Sequence, residues 1–336
     1  MTMAPIGTNA GPVPSRARAA QALLARFGVL IGFAAVILFF AVSSPTFLTL
    51  GNITNMLVNN VALLAMVALG MTIVIASGGI DLSVGTAVDL ASMVFIMLMA
   101  AGHGLMVGLL GAIAVAAVVG AVNAILITRL RISPFLATLG VLFIGQSVQQ
   151  LSSDGGNPIY LFSSDMAHKF SFIGHGSLLG ISIPLWIVAV SYIGVFIVLH
   201  YARFGRYVYA LGAEPGVAWY SGLRIKRDTA AIYVLSAVLA GIAGIILSCT
   251  VRCYVPLSGN AFILDAIGAA FIGTTISLER RPTVIGTLVG VLLLGIVKNG
   301  LLLVGWNFYW QQVGTGVVIL LVLATSFATR RHVGEA

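Results

Sequence analysis

The stretch GMTIVIASGGIDLSVG, Gly70 to Gly85, joins an apolar run ending at Ala76 to a second one starting at Val84. Between them lie Ser77, Gly78, Gly79, Ile80, Asp81, Leu82 and Ser83. This reads as a helix, a break and a helix. Gly78 and Gly79 permit backbone angles that other residues resist, and Ser83 is of a type that caps a following helix. Breaks at membrane depth are tolerated where the backbone lines a cavity or is packed inside protein. The other reading is a tight turn at the membrane surface.

Working outward, composition decides the environment. The chain has 336 residues, 60% hydrophobic and 8% charged, with mean hydropathy +1.10. Soluble domains carry about a quarter charged residues. So few charges exclude a soluble globular protein and a disordered one. The apolar runs fall at 27–42, 61–76, 84–100, 104–128, 134–151, 183–201, 229–251, 261–277, 283–304 and 309–328. With about 20 residues per crossing, the expectation is an all-α integral membrane protein of about ten transmembrane helices. Residues 1–25 are expected as a flexible tail, 26–329 as the membrane domain and 330–336 as a short C-terminal tail. Arg26 before the first run resembles a signal sequence, but no small-residue cleavage site follows, so the first helix is read as retained.

The cations orient the chain. With the N-terminus inside and the runs alternating, 14 of the 17 Lys and Arg fall inside, among them Arg129, Arg131, Arg203, Arg206, Arg224, Lys226, Arg227, Arg280 and Arg281. Only Lys169 and Arg252 fall outside, and Lys298 lies within a run. Lys and Arg are held back on the cytoplasmic side, so both termini are expected there. The net charge of +8 therefore reports orientation rather than affinity for nucleic acid. Two connections exceed a simple turn: an outer loop at 152–182 and a basic inner loop at 202–228.

Polar residues inside apolar runs need a reason. Asp81, Asp89 and Asp265 face a partner or a cavity, because a carboxylate at the bilayer centre costs about 3 kcal/mol on insertion scales. They serve either as a proton or cation relay or as caps and interhelical hydrogen bonds. Asp89 follows Asp81 by eight positions, so the two share a helical face if the helix starts early. Lys298 and Asn299 form a lone polar pair; the lysine either snorkels or pairs with a carboxylate. Gln146, Gln149 and Gln150 lie on one helix face, and Gln311 and Gln312 follow Trp310. Neutral amides near aromatics suit polyols, and the same groups also join helices. Cys249 and Cys253 read as small apolar residues, and the scattered histidines offer no metal site.

The chain carries no G-x-x-x-x-G-K-[ST] motif, no HExxH and no paired catalytic set. It does not hydrolyse ATP by itself, and an intramembrane enzyme is disfavoured. In the inner loop, Pro215 fits the first turn of a short helix and Gly222 its end. Val217, Trp219 and Tyr220 would be its exposed knobs, either docking a partner or lying on the lipid surface.

Taken together, these residues resemble the ribose-type permease subunits of bacterial ABC sugar importers. The resemblance rests on Gly70–Gly85, Ile132–Gly140, Arg203–Leu223, Leu264–Ile267, Gly286–Gly290 and Asn299–Leu301, and spans about residues 25–328. It implies the ABC importer permease fold and one half of a dimeric channel, with a second identical or similar permease. It implies a periplasmic sugar-binding protein outside and a cytoplasmic ATP-binding subunit inside, which uses ATP and Mg while this chain binds no cofactor. Pathway or helix-break residues would include Ser77, Gly78, Gly79, Asp81, Ser83, Asp89, Gln146, Asp265 and Asn299. ATPase docking would involve Glu214, Pro215, Val217, Trp219 and Tyr220. The chain departs from the family where a glycine-rich run is usual: it has Gly273-Thr274-Thr275-Ile276-Ser277-Leu278-Glu279-Arg280-Arg281-Pro282-Thr283. Glu214 also stands where Asn is common. The main alternative is a proton-coupled secondary transporter using Asp81, Asp89 or Asp265.

Overall fold

The computed structural model describes residues 16–161, 164–214, 216, 220, 223–277 and 281–334. These form a helical bundle with four two-residue strands at its edges. Helix α1 spans Arg16–Ser43, and α2 runs Leu50–Ala76 with a π-turn at Leu57–Val61. Then come α3 (Val84–Ala100), α4 (Leu105–Thr128), α5 (Pro134–Ser152), α6 (Ser164–His175), α7 (Ile183–His200) and α8 (Arg203–Ala213). The last four are α9 (Ile225–Val251), α10 (Asn260–Ile276), α11 (Val284–Leu303) and α12 (Phe308–Gly334). Six of these are long and apolar enough to cross a membrane: α2, α4, α5, α7, α9 and α11. Apolar portions of α1, α3, α10 and α12 are shorter.

The core is the second half of α2, whose residues Ala62–Val74 are buried throughout, wrapped by α7, α9, α10 and α11. Helices α4, α5 and α7 each turn an apolar face outward, and that face suits lipid. Small residues let the helices approach closely: Gly120 of α4 sits on the backbone of Tyr233 and Val234, and Gly244 of α9 on that of Val88. Buried hydroxyl pairs join others: Thr72 with Thr287 and Ser92 with Ser248, each at 2.6 Å.

Three elements differ from the sequence expectation. Helix α1 begins at Arg16, not near residue 26, because Ala17, Ala19, Ala20 and Ala22 favour helix strongly. Helix α12 continues through Gly334, past the expected start of the tail. Helix α2 begins at Leu50 rather than 61: the Thr49 hydroxyl accepts from Asn52 N–H, and the asparagines that interrupt the apolar run remain helical.

The outer loop is also more ordered than a simple connection. Strand β1 (Ile159–Tyr160) pairs antiparallel with β4 (Cys253–Tyr254), while β2 (Ser177–Leu178) and β3 (Ile181–Ser182) form a hairpin. Helix α6 packs beside α9, with Gly174 against the backbone of Cys249, and Phe170 edge-on to Phe95. Both cysteines are buried and free.

Candidate functional site

The break after α2 is built by local chain chemistry. Gly78 N–H bonds to Ile75 C=O at 3.0 Å and Gly79 N–H to Val74 C=O at 3.0 Å. This double closure is the Schellman arrangement, whose left-handed position falls on Gly78 at φ 85°. Gly79 has a different constraint: a Cβ there would lie 2.5 Å from the Tyr233 hydroxyl and 3.2 Å from Val74 Cγ1. Ser77, at the C-cap, donates its hydroxyl to Val74 C=O at 2.7 Å.

Beyond the glycines the chain turns inward rather than into solvent. Asp81 and Ser83 are wholly buried. Asp81 Oδ1 accepts from the Ser83 N–H at 2.9 Å and the Ser83 hydroxyl at 2.7 Å, and Oδ2 accepts from the Ser236 hydroxyl at 3.4 Å. Asn123 Nδ2 donates to Ser83 Oγ at 2.6 Å. Thr138 Oγ1 accepts from Leu82 N–H at 3.1 Å. The break is thus a node where α3, α4, α5 and α9 meet. It is a packed break, not an exposed turn. The expected Ser83 cap is corrected: Ser83 occupies the N-cap position of α3, but its side chain makes no cap bond because Asp81 and Asn123 engage it. Helix α3 starts at Val84, so Asp81 lies outside it and shares no helical face with Asp89.

Asp89 belongs to a second node, at the connection between α9 and α10. Its Oδ1 accepts from Ser258 Oγ at 2.8 Å and from Gly259 N–H at 2.7 Å. Gln149 Oε1 accepts from Leu257 N–H at 3.0 Å and from the Tyr254 hydroxyl at 3.2 Å. Gln146 Nε2 points to Asn260 Oδ1 at 3.5 Å. The tip of this connection is therefore drawn between α3 and α5, with Gly259 against the backbone of Gly85.

Asp265 pairs with Lys298 of α11, and Asn299 exchanges amide hydrogen bonds with Asn52 of α2 at 2.9 and 3.0 Å. The lysine therefore pairs and does not snorkel. Asp81, Asp89 and Asp265 are held by three separate sets of partners. The reading of the sequence passed over Asn123, Ser236, Gln149 as a buried anchor, and Ser258. Only the long-range partner of each reveals its role.

At the α8 end, the inner loop holds an amphipathic helix that the reading of the sequence missed. Gly205, Val208 and Leu211 of α8 are buried, with Arg203 and Arg206 turned out. The Tyr209 hydroxyl donates to Pro282 C=O at 3.1 Å, and the Arg281 guanidinium lies 5.9 Å over the Tyr209 ring. The departure at Arg281-Pro282 thus meets α8. Glu214 ends this helix and is exposed, and Tyr220 is 90% exposed. Pro215, Val217 and Trp219 lie outside the described residues. Among the described residues no group of three potential metal ligands occurs.

Residues 52–323 match the family described as the branched-chain amino acid transport system / permease component. The ribose import permease protein RbsC of Escherichia coli (strain K12) is 33% identical over 88% of this chain and 91% of its own length. The D-allose transport system permease protein AlsC of the same strain is 31% identical over 89% and 90%. The L-arabinose ABC transporter permease protein AraH of Azospirillum brasilense is 30% identical over 94% and 91%. No solved structure matches the chain significantly. These relatives are permease components and not enzymes. With apolar helices that make it a multi-pass membrane protein and a match covering most of its length, the chain belongs to this permease-component family, among the ribose-type permeases of ABC sugar importers.

Proposed function

We propose that this chain is the membrane-spanning permease subunit of a bacterial importer for a monosaccharide or related polyol. It forms one half of a dimeric channel, with an identical or similar second permease. It lies in the plasma (inner) membrane with about ten spans and both termini cytoplasmic. Residues 26–329 form the permease domain, with the outer loop at 152–182 and the coupling loop at 202–228. A periplasmic binding protein delivers the sugar. A separate cytoplasmic subunit binds ATP and Mg and drives alternation between outward- and inward-open states, and this chain binds no cofactor.

The observation that carries the reading is the match over most of the chain to permeases named for ribose, allose and arabinose. The lack of any nucleotide-binding motif in the sequence supports a separate ATPase. The separate partners of Asp81, Asp89 and Asp265 fit interhelical bonding better than a connected proton relay. The break at Ser77–Ser83, with Asp89, Gln146, Asp265 and Asn299, is assigned to the pathway and the elements that shape it.

Uptake in cells expressing the permease with a candidate ATPase subunit and a candidate sugar-binding protein tests this. D-Ribose, D-allose and L-arabinose serve as substrates. Uptake of at least one is expected to stop when the ATPase loses its catalytic glutamate, and to survive collapse of the proton gradient. Uptake by the permease alone that follows the proton gradient would establish the secondary-transporter alternative.

A further inference from the structure

Lys298 lies about one and a half turns before the C-terminal end of α11, and its ammonium is held by Asp265 of α10. Other charged groups within the bundle are closed off: Asp81 and Asp89 are 0% exposed. The Asp265–Lys298 pair is less completely enclosed: Asp265 is 9% exposed as a residue, and the Lys298 side chain is 28% exposed. Beside it, Leu264 is 73% and Leu302 56% exposed. This opening leads out of the chain, to whatever lies against the α10–α11 face.

Hydrocarbon is a poor neighbour for such a pair. Ionised residues within spans face a bundle interior, a partner or a water-filled cavity. The pair is also chemically unfinished. A lysine ammonium has three donors, of which Asp265 takes one, and Asp265 Oδ1 has no hydrogen-bond partner among the described residues. A donor beside an acceptor matches two neighbouring hydroxyls, one accepting from the ammonium and the other donating to the carboxylate.

We propose that the Asp265–Lys298 pair faces the water-filled translocation path and is a charged contact for adjacent hydroxyls of the passing polyol. The proposal rests on the permease reading above and names a specific subsite within it. The leucines on either side leave the pair as the local polar contact, so the polyol meets it while shedding water.

Thiol accessibility tests the orientation without requiring a substrate. In a background carrying Cys249→Ala and Cys253→Ala, single cysteines are introduced as Leu264→Cys, which leaves the pair intact, and Lys298→Cys. Leu179→Cys, at the exposed hairpin, gives the aqueous reference, and Val118→Cys, on the outward apolar face of α4, the lipid reference. The probe is a charged, membrane-impermeant methanethiosulfonate. Both test positions are expected to react at rates near the Leu179→Cys reference. Rates near the Val118→Cys reference at both positions would overturn the proposal, whether lipid or a dry subunit contact covers the face.

For the hydroxyl contact, Asp265→Asn/Lys298→Met removes both charges and leaves no unpaired carboxylate. Maximal uptake of whichever sugar is transported is expected to fall about tenfold, as for one hydrogen bond to a charged group, with unchanged amounts of permease in the membrane. Unchanged uptake overturns the contact. Retained ATP-driven uptake with unreactive cysteines sinks the subsite and spares the permease reading. Reactive cysteines with uptake driven by the proton gradient do the reverse.

Discussion

At Gly78 and Gly79 two different constraints produce the same residue. Gly78 needs a left-handed backbone, which costs a residue with a Cβ about 1–2 kcal/mol. Gly79 needs the absence of a Cβ, chiefly against the Tyr233 hydroxyl, with Val74 Cγ1 the next nearest atom. That hydroxyl is buried and has no hydrogen-bond partner among the described residues. Gly79→Ala is therefore expected to lower thermal stability and uptake, and Gly79→Ala/Tyr233→Phe to restore most of both, because removing the oxygen makes room and orphans nothing. Gly78→Ala is not rescued by Tyr233→Phe; equal rescue at both positions would refute the distinction. Asp81→Asn is expected to retain uptake, since an amide oxygen still accepts the two Ser83 bonds. Complete loss would indicate a role for the charge itself. The break was legible in the sequence because glycine, aspartate and serine interrupt an apolar run. Its partners were not: Asn123, Thr138 and Ser236 come from helices far away in sequence, and local pattern does not carry such pairings.

Among the elements, the long apolar helices were legible and the amphipathic ones were not. Helix α8 is short and half polar, so its periodicity is lost in a loop marked mainly by arginines. Yet α8 ties the inner loop to the bundle, through Leu211 in the core and the Tyr209 contacts with Arg281 and Pro282. The helix ends at Glu214, and Tyr220 is almost fully exposed. Aromatic anchors often dominate an interface, each costing about 2 kcal/mol or more on truncation. Trp219→Ala and Tyr220→Ala are expected to leave permease levels unchanged while the ATPase no longer co-purifies and substrate-stimulated ATP hydrolysis falls. Retention of the ATPase by both variants, with full uptake, would move the docking element elsewhere.

On the scale of the whole molecule, contacts at the ends of helices give a parity argument independent of hydropathy. Gly78 lies against Gly212, so the ends of α2 and α8 are neighbours, with α3, α4, α5, the outer-loop helix α6 and α7 between them. Tyr209 bonds to Pro282 across α9 and α10. Strand β1 pairs with β4 across α7 and α9, at the other end of the bundle. Each pairing requires an even number of traverses, and each has one when α3, α4, α5, α7, α9 and α10 each traverse once and α6 and α8 do not. If α1, α2, α11 and α12 each traverse once, the start of α1 and the end of α12 fall at the end occupied by α8. That end also carries Arg129, Arg131, Arg203, Arg206, Arg224, Lys226, Arg227 and Arg281, the cations expected to stay cytoplasmic. Side-chain contact and charge retention are both consistent with the proposed orientation. Reporter fusions at Asp165, in α6, and at Lys226, at the start of α9, are expected to show opposite sides, with position 226 cytoplasmic. Fusions after Thr49 and Gly102 should behave like the one at Asp165. If α3 fails to traverse, the Gly102 fusion reports the same side as Lys226, and the count of about ten spans fails at that helix.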